Sequence, residues 1–268
     1  HVLGKCHLVA PKHRFRFKNK FYSMDSTTIS LCLNLFPWAK FRSRKGGIKL
    51  HTLFNNSGYL PDFIRITTAS KHDSTQSKLL CNRLSEGSIV TFDKGYIDFS
   101  WFYELTLSKM FFITQSKRNL CYRIIKRNPK NRRKGIQLDH IIELRGYYKK
   151  QEYPQQLRLK KYRNSIDGNV YTYLTNHFEL CASTIAECYK ERWQIELFFK
   201  WIKQNLRIKT FYGTSENAVL IQIWTAMIYY LIVAFVKFIN KCKHSMLTIT
   251  RIFKEQLFEN KLLTDILN

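Results

Sequence analysis

The stretch Tyr189-Lys190-Glu191-Arg192-Trp193-Gln194-Ile195-Glu196-Leu197-Phe198-Phe199-Lys200-Trp201-Ile202-Lys203 decides how this chain is read. Tyr189, Arg192, Glu196 and Lys203 are spaced three, four and seven residues apart, which on a helix puts them inside an arc of roughly 60°. Ile195, Phe198, Phe199, Trp201, Ile202 and Leu206 turn the other way, so the segment predicts a helix with one face on a core and one polar face. A carboxylate set among an arginine, a lysine and a phenol packs poorly. It suits a group that must sit beside phosphates and metal ions.

Upstream, β-rich runs predict the sheet on which such a helix rests. Phe21-Tyr22-Ser23-Met24-Asp25 reads as a strand ending on an acid, and Ser88-Ile89-Val90-Thr91-Phe92-Asp93 as another. Between them, 47–54 and 62–67 read as strands, and Asp73-Ser74-Thr75-Gln76 as a capping box opening a helix to about Leu84. A short helix near Phe99 to Leu107 and a strand from Met110 to Thr114 follow. The stretch 169–176 returns to strand character, and Thr184-Ile185-Ala186-Glu187 predicts the start of the polar-faced helix. Two helices, 215–240 and 245–267, end the chain.

This order divides the chain into a basic arm (1–20), a first core part (21–115), a basic β-rich insertion (116–168), a second core part with the glutamate helix (169–210) and C-terminal helices (211–268). A run of strands, interrupted and completed by helices, predicts an α/β fold with a mixed sheet. The 268 residues, 45% of them hydrophobic, are enough for a sizeable core.

The net charge of +26, from 45 basic against 19 acidic residues, exceeds what solubility needs and calls for a polyanionic partner. From Lys117 to Arg163 there are 16 basic and 3 acidic residues, a net of +13 and half of the whole excess. The seven cysteines are odd in number and have no CxxC spacing, which predicts reduced thiols in a cytosolic protein and no zinc site. No signal peptide is expected, and the start His-Val-Leu-Gly reads as that of a fragment.

Asp25, Asp93 and Glu196 are the candidate catalytic residues. Strand ends and a facing helix can bring distant acids to one sheet mouth, where three carboxylates repel one another unless cations bind. Hard oxygen ligands suit Mg²⁺ or Mn²⁺, and two such ions can clamp a phosphodiester. Each residue also has an ordinary reading. An Asp at a strand end is commonly a turn residue or cap, Glu196 can pair with Lys200 at i+4, and Tyr189 can be a half-buried core tyrosine.

The run Tyr189-x2-Arg192-x3-Glu196-x6-Lys203 resembles the signature of bacterial insertion-sequence transposases of the DDE class, the IS-four family. Met24-Asp25-Ser26-Thr27-Thr28 and Phe92-Asp93-Lys94-Gly95-Tyr96 are similar to its first and second aspartate segments. Lys45-Gly46-Gly47-Ile48-Lys49-Leu50-His51 and the stretch 193–203 resemble one branch of it. The resemblance implies a ribonuclease-H-like fold with a β insertion before the glutamate helix. It implies that Asp25, Asp93 and Glu196 hold two Mg²⁺ ions (Mn²⁺ may substitute), and that Tyr189, Arg192 and Lys203 grip the DNA end.

The implied partners are double-stranded DNA, as the element's terminal inverted repeats and as target, and a second copy in a homodimer on DNA, in the cytoplasm of a bacterium at the nucleoid. The implied reaction cuts the element's ends and joins the freed 3′-hydroxyl to target DNA. In relatives a hairpin step uses a stacked, flipped base, for which Tyr147 and Tyr148 are the available platforms in the insert. About 24 residues precede Asp25, fewer than the family's N-terminal end-recognition region needs, so the chain reads as truncated. A truncated, inactive DNA-binding remnant is the alternative.

Two other readings compete. Residues 217–236 carry no charge and are long enough to cross a bilayer, but Gln222 and Thr225 fit a buried helix better, and no membrane partner is expected. A tyrosine recombinase would use Tyr189 as nucleophile. It needs an Arg/His pocket, and the sole His-x-x-Arg run, His13 to Arg16, lies in the basic arm.

Overall fold

The computed structural model describes residues 1–43, 45–71, 73–129, 135–146, 151–165, 168–205 and 211–256. Its spine is β1 (Phe21–Leu31), which is flanked differently on its two sides. On one side β3 (Lys45–Asn55) runs antiparallel to it, and β3 carries β4 (Leu60–Thr68) and the short β2 (Lys40–Arg42) along its other edge. On the other side β5 (Ile89–Phe92) and then β6 (Phe111–Gln115) run parallel to β1. The parallel pairs require crossovers. Helix α2 (Asp73–Cys81) lies in the connection into β5, and α3 (Phe99–Leu107) in the connection from β5 to β6.

Beyond β6 the sheet turns antiparallel. Strand β10 (Val170–Thr175) pairs with β6 and with β9 (Leu157–Arg163); β8 (Ile136–Leu144) and β7 (Tyr122–Arg127) follow. The result is a ten-stranded mixed sheet with helices, the α/β architecture expected. The strands of the 116–168 stretch extend this one sheet through β9 and β10.

Among the described residues four further helices follow: α4 (Ala182–Glu191), α5 (Trp193–Asn205), α6 (Glu216–Ile239) and α7 (Met246–Gln256). The period-two alternation of β1 sorts its side chains between faces. Tyr22 and Met24 join Phe92, Phe112, Trp101 and Phe102 in the core under α3. Phe21 packs with Ile185 and Cys188 of α4, while Ile29 packs under α5 and α6 with Ile195, Phe198, Trp201 and Ile202. Each fully buried side chain of this size contributes roughly 1.5–3 kcal/mol, so α5 is held by its apolar face. Leu206, assigned to that face from the sequence, lies outside the described residues.

Several sequence expectations change. Asp25 does not end its strand: β1 runs on through Ser26-Thr27-Thr28-Ile29 to Leu31. The polar-faced helix starts at Ala182, ahead of Thr184, with Cys181 at its N-cap and no side-chain capping bond. That helix is also two helices, joined at Arg192. The basic arm contains α1 (Val2–Val9), whose Cys6 is buried against α6 and donates its thiol to the Leu231 carbonyl at 3.3 Å. Helix α7 is described to Gln256; the rest of the predicted 245–267 helix lies outside the described residues.

Helix α6 is long and apolar enough to cross a bilayer by length and composition. Val219, Ile223, Met227, Tyr230, Val233 and Ala234 bury one side of it against the fold, and Ile221, Trp224, Ile228 and Ile232 are exposed on the other.

Candidate active site

The register of the central strands brings two acids side by side. The last residues paired between parallel β1 and β5 are Met24 and Phe92, and the next residue along the chain from each is an aspartate: Asp25 within β1 and Asp93 just past the end of β5. Asp93 caps a 3-10 turn over Lys94–Tyr96, accepting from the Lys94 amide at 2.6 Å. Asp25 likewise accepts from the Ser26 amide through Oδ1 at 2.8 Å. Each acid thus spends one oxygen on the neighbouring backbone amide.

Arg192 supplies the link to the third acid. It sits in α-helical conformation between α4 and α5, and shortened bonds hold the junction: its own amide donates to the Tyr189 carbonyl at 3.2 Å, and the Ile195 amide donates to its carbonyl at 3.1 Å. From this corner the guanidinium fork donates through Nη1 to Asp25 Oδ2 at 2.9 Å and through Nη2 to Glu196 Oε1 at 2.7 Å. Its buried Nε–H has no partner among the described residues. Glu196 therefore takes the arginine four residues before it as its ion-pair partner.

The electrostatics tie all three acids together. Burial pushes the Asp25 carboxyl up to about 6; the Ser26 amide and Arg192 pull it down, and the charges of Glu196 and Asp93 push it up again. Burial works against the Arg192 charge too, but Asp25, Tyr189 and Glu196 outweigh it and raise its pKa. Burial lowers the Lys203 amine. Tyr189 is pushed up to about 12 by burial, with Arg192 opposing and Asp93 and Asp25 adding to the rise.

The break at Arg192 divides the four-residue polar face. Lys203 lines a shallow groove of about 550 Å³ with Asp25, Ser26, Glu196 and Lys200. Tyr189 lines a different cleft, about 920 Å³, with Arg14, Tyr162, Tyr171, Arg192 and Trp193. Its ring lies 5.1 Å from that of Tyr173, and the Arg192 guanidinium carbon is 5.7 Å from its centroid. Asp93 itself lines a third cavity of about 750 Å³, together with Lys94, Lys117, Arg118 and Lys161. Tyr147 and Tyr148, the stacking platforms named from the sequence, lie outside the described residues.

Sequence reasoning passed over Glu191. Its side chain is buried beside the Arg192 corner, accepting from Tyr59 Oη at 3.0 Å and pairing with Arg14 at 2.8 Å. The signal available was only a charged residue in a run of charged residues. Its partners come from 132 residues upstream in one case and from the basic arm in the other, and no local pattern reports that.

Among the described residues no three metal-ligating side chains stand together at coordinating distance. The positive charge between Asp25 and Glu196 is that of Arg192. The donor set nevertheless fits a hard divalent cation: three carboxylates, of which the most buried is pushed up by the other two. Such a cation relieves the repulsion in the same way as the guanidinium does.

Comparison with known proteins adds four findings. The family described as transposase DDE domain matches residues 16–232. A protein of Sinorhizobium fredii named as a transposase, y4zB, is 32% identical over 241 residues, 89% of this chain and 67% of its own length. One of Geobacillus stearothermophilus, named as the transposase for insertion sequence element IS5377, is 28% identical over 235 residues, 86% of this chain and 60% of its own. The chain thus spans about three fifths to two thirds of these relatives. The fold resembles a chain of the cryo-EM structure of the piggyBac transposase synaptic complex with hairpin DNA, with TM-score 0.50 and 12% identity over 93% of this chain and 56% of that one.

Proposed function

This chain belongs to the transposase DDE domain family, and on that premise we propose that it cleaves phosphodiesters at the ends of an insertion sequence and transfers the freed 3′-hydroxyl to target DNA. Asp25, Asp93 and Glu196 are the metal-holding acids. Divalent metal belongs to the chemistry of the family; these three acids would hold two Mg²⁺ ions, with Mn²⁺ able to substitute, and the ions would supply Lewis-acid activation of the attacking and leaving oxygens. The tyrosine, arginine, glutamate and lysine spacing resembles the IS-four signature and supports that branch.

The chain's own residues provide position and charge. The Arg192 fork suits a phosphate as well as it suits two carboxylates. Lys203 adds a point charge from the groove beside Asp25 and Glu196. Tyr189, on the other side of the corner, meets a distorted nucleotide at the DNA end. The basic cavity next to Asp93 adds contacts to the phosphate backbone, which makes binding steeply salt-dependent. The partners are the element's terminal inverted repeats, target DNA and a second copy of the chain on DNA, acting at the bacterial nucleoid without a membrane.

The observation that carries this reading is the single guanidinium shared by Asp25 and Glu196, 171 residues apart in sequence, with Asp93 adding its charge to the same carboxyl. The test is nicking of DNA that carries the element's ends, in Mg²⁺, by the wild type, Asp93→Asn and Glu196→Gln. The wild type cleaves and both variants bind DNA without cleaving. Cleavage by Glu196→Gln at the wild-type rate removes the assignment. DNA binding without cleavage in all three proteins makes the chain a binding remnant.

A further inference from the structure

A second buried charge cluster lies away from the three acids. On neighbouring strands β8 and β9, Asp139 pairs in register with Lys160. Asp139, Arg158 and Lys160 are all buried; Lys160 is 1% exposed. The Arg158 fork closes on Asp139 through Nε at 2.8 Å and Nη2 at 2.7 Å. Its remaining nitrogen, Nη1, donates to the carbonyls of Phe178 and, at 2.9 Å, Leu180. Lys160 Nζ donates to the same Leu180 carbonyl at 2.9 Å and stands 3.8 Å from Asp139 Oδ2.

Sinking an acid, an arginine and a lysine under a helix is an expensive way to fill a core. Well-packed apolar side chains of the same volume are often neutral or more stable. What the charges supply, and apolar groups cannot, is a grip on two named carbonyls. Both belong to the turn that leads into α4, whose N-cap Cys181 makes no side-chain capping bond. The start of α4 has no side-chain cap of its own; its turn is held by Arg158 and Lys160 of β9, beside the bond from the Leu180 amide to His177 Nδ1 at 3.3 Å. Eight to eleven residues further on, about 12–16 Å along the axis, the same helix delivers Tyr189 and the Arg192 corner.

We propose that Arg158 and Lys160 are positioning residues, which clamp the Phe178–Leu180 turn to β8 and β9 and thereby set where α4 places Tyr189 and Arg192. The insert is then a mechanical support for the DNA-gripping corner as well as a basic surface. This rests on the function proposed above for that corner. A displacement of about 1 Å at such a corner is enough to cost up to ~100-fold in rate.

The test uses the full chain with Mg²⁺ and DNA carrying the element's ends, and two variants. Lys160→Met keeps length and removes the donor; Arg158→Lys keeps charge and removes the fork. Urea unfolding, amide exchange and single-turnover cleavage are measured on all three proteins. The expected result is an unfolding midpoint equal to or above wild type for Lys160→Met, exchange of the 182–191 amides faster by about tenfold, β1 and β5 amides unchanged, and cleavage slower by about 10–100-fold. Arg158→Lys shows the same local exchange and rate loss. Wild-type exchange at 182–191 in both variants overturns the proposal, as does exchange that rises equally over the whole sheet or cleavage at the wild-type rate. If the wild type itself does not cleave while the local exchange behaves as expected, the clamp stands and the assigned reaction fails.

Discussion

Asp25→Asn is expected to abolish the part of the pH dependence of stability that belongs to the site. In the folded chain the Asp25 carboxyl sits at about 6, against its ordinary value of 3.8. At ~1.4 kcal/mol per pH unit, holding that carboxylate charged costs the metal-free fold ~3 kcal/mol at neutral pH. The sign follows from which state keeps the proton. Between pH 3.8 and 6 the folded chain binds it and the unfolded chain does not, so the stabilisation is fully present below about pH 4 and is lost as pH rises through about 6. Asparagine cannot titrate. It also weakens the 2.9 Å bond from Arg192, a constant offset of ~1.5–3 kcal/mol that does not alter the slope.

The assay is thermal and urea unfolding of wild type and Asp25→Asn in EDTA at four pH values from 4.5 to 7.5. The wild type loses ~2 kcal/mol relative to the variant across that range, the part of the full loss that falls above pH 4.5, or ~4–8 °C at ~2–4 °C per kcal/mol. Millimolar Mg²⁺ reduces the difference, because a cation takes over part of the neutralisation. Parallel stability curves, separated by a constant to within ~0.5 kcal/mol, would refute the claim that burial and the two neighbouring acids act on Asp25.

Three other outcomes are expected. Arg192→Gln and Lys203→Gln each weaken DNA binding and reduce the slope of log affinity against log salt by about one, read by titration from low to moderate salt. Lys160, held down at about 7 by burial and the Arg158 charge, with Asp139 and Cys181 opposing, should make stability rise with pH between about 7 and 10.5, because there the unfolded chain binds the extra proton. Lys160→Met should lack that rise in urea titrations from pH 7 to 9.5. Glu191→Gln, which loosens the Arg14 and Tyr59 contacts at the Arg192 corner, should cost ~1–3 kcal/mol and be seen in the same unfolding experiments.

Local pattern carried a great deal. The 3-4 spacing of Ile195, Phe198, Phe199, Trp201 and Ile202 is enough to say which side of α5 is buried, because a helix has only one period. Runs rich in aromatic and β-branched residues located β1, β3, β4, β5 and β6, because such side chains fit a pleated, half-buried surface. Where local signals misled, a longer-range contact had overruled them. Asp25 reads as a stop because aspartate disfavours strands, yet β3 pairs with β1 far past that residue, through Thr28 and Ile29. The basic arm reads as featureless because the partner of its short helix, α6, lies more than 200 residues away.

By itself the sequence put forward the candidate residues and the faces of their helices: a tyrosine, an arginine, a glutamate and a lysine at fixed spacings and two aspartates at the ends of β-rich runs, in a chain charged for a polyanion. Only the tertiary structure decided how they meet. Pairing Met24 with Phe92 sets two aspartates side by side, and the corner at Arg192 turns one predicted helix face into two clefts, with Tyr189 in one and Lys203 in the other. The physical reason is that helical and strand periods are local properties of the chain. Register between strands and the break between helices are set by whatever packs against them, and those partners lie tens to hundreds of residues away.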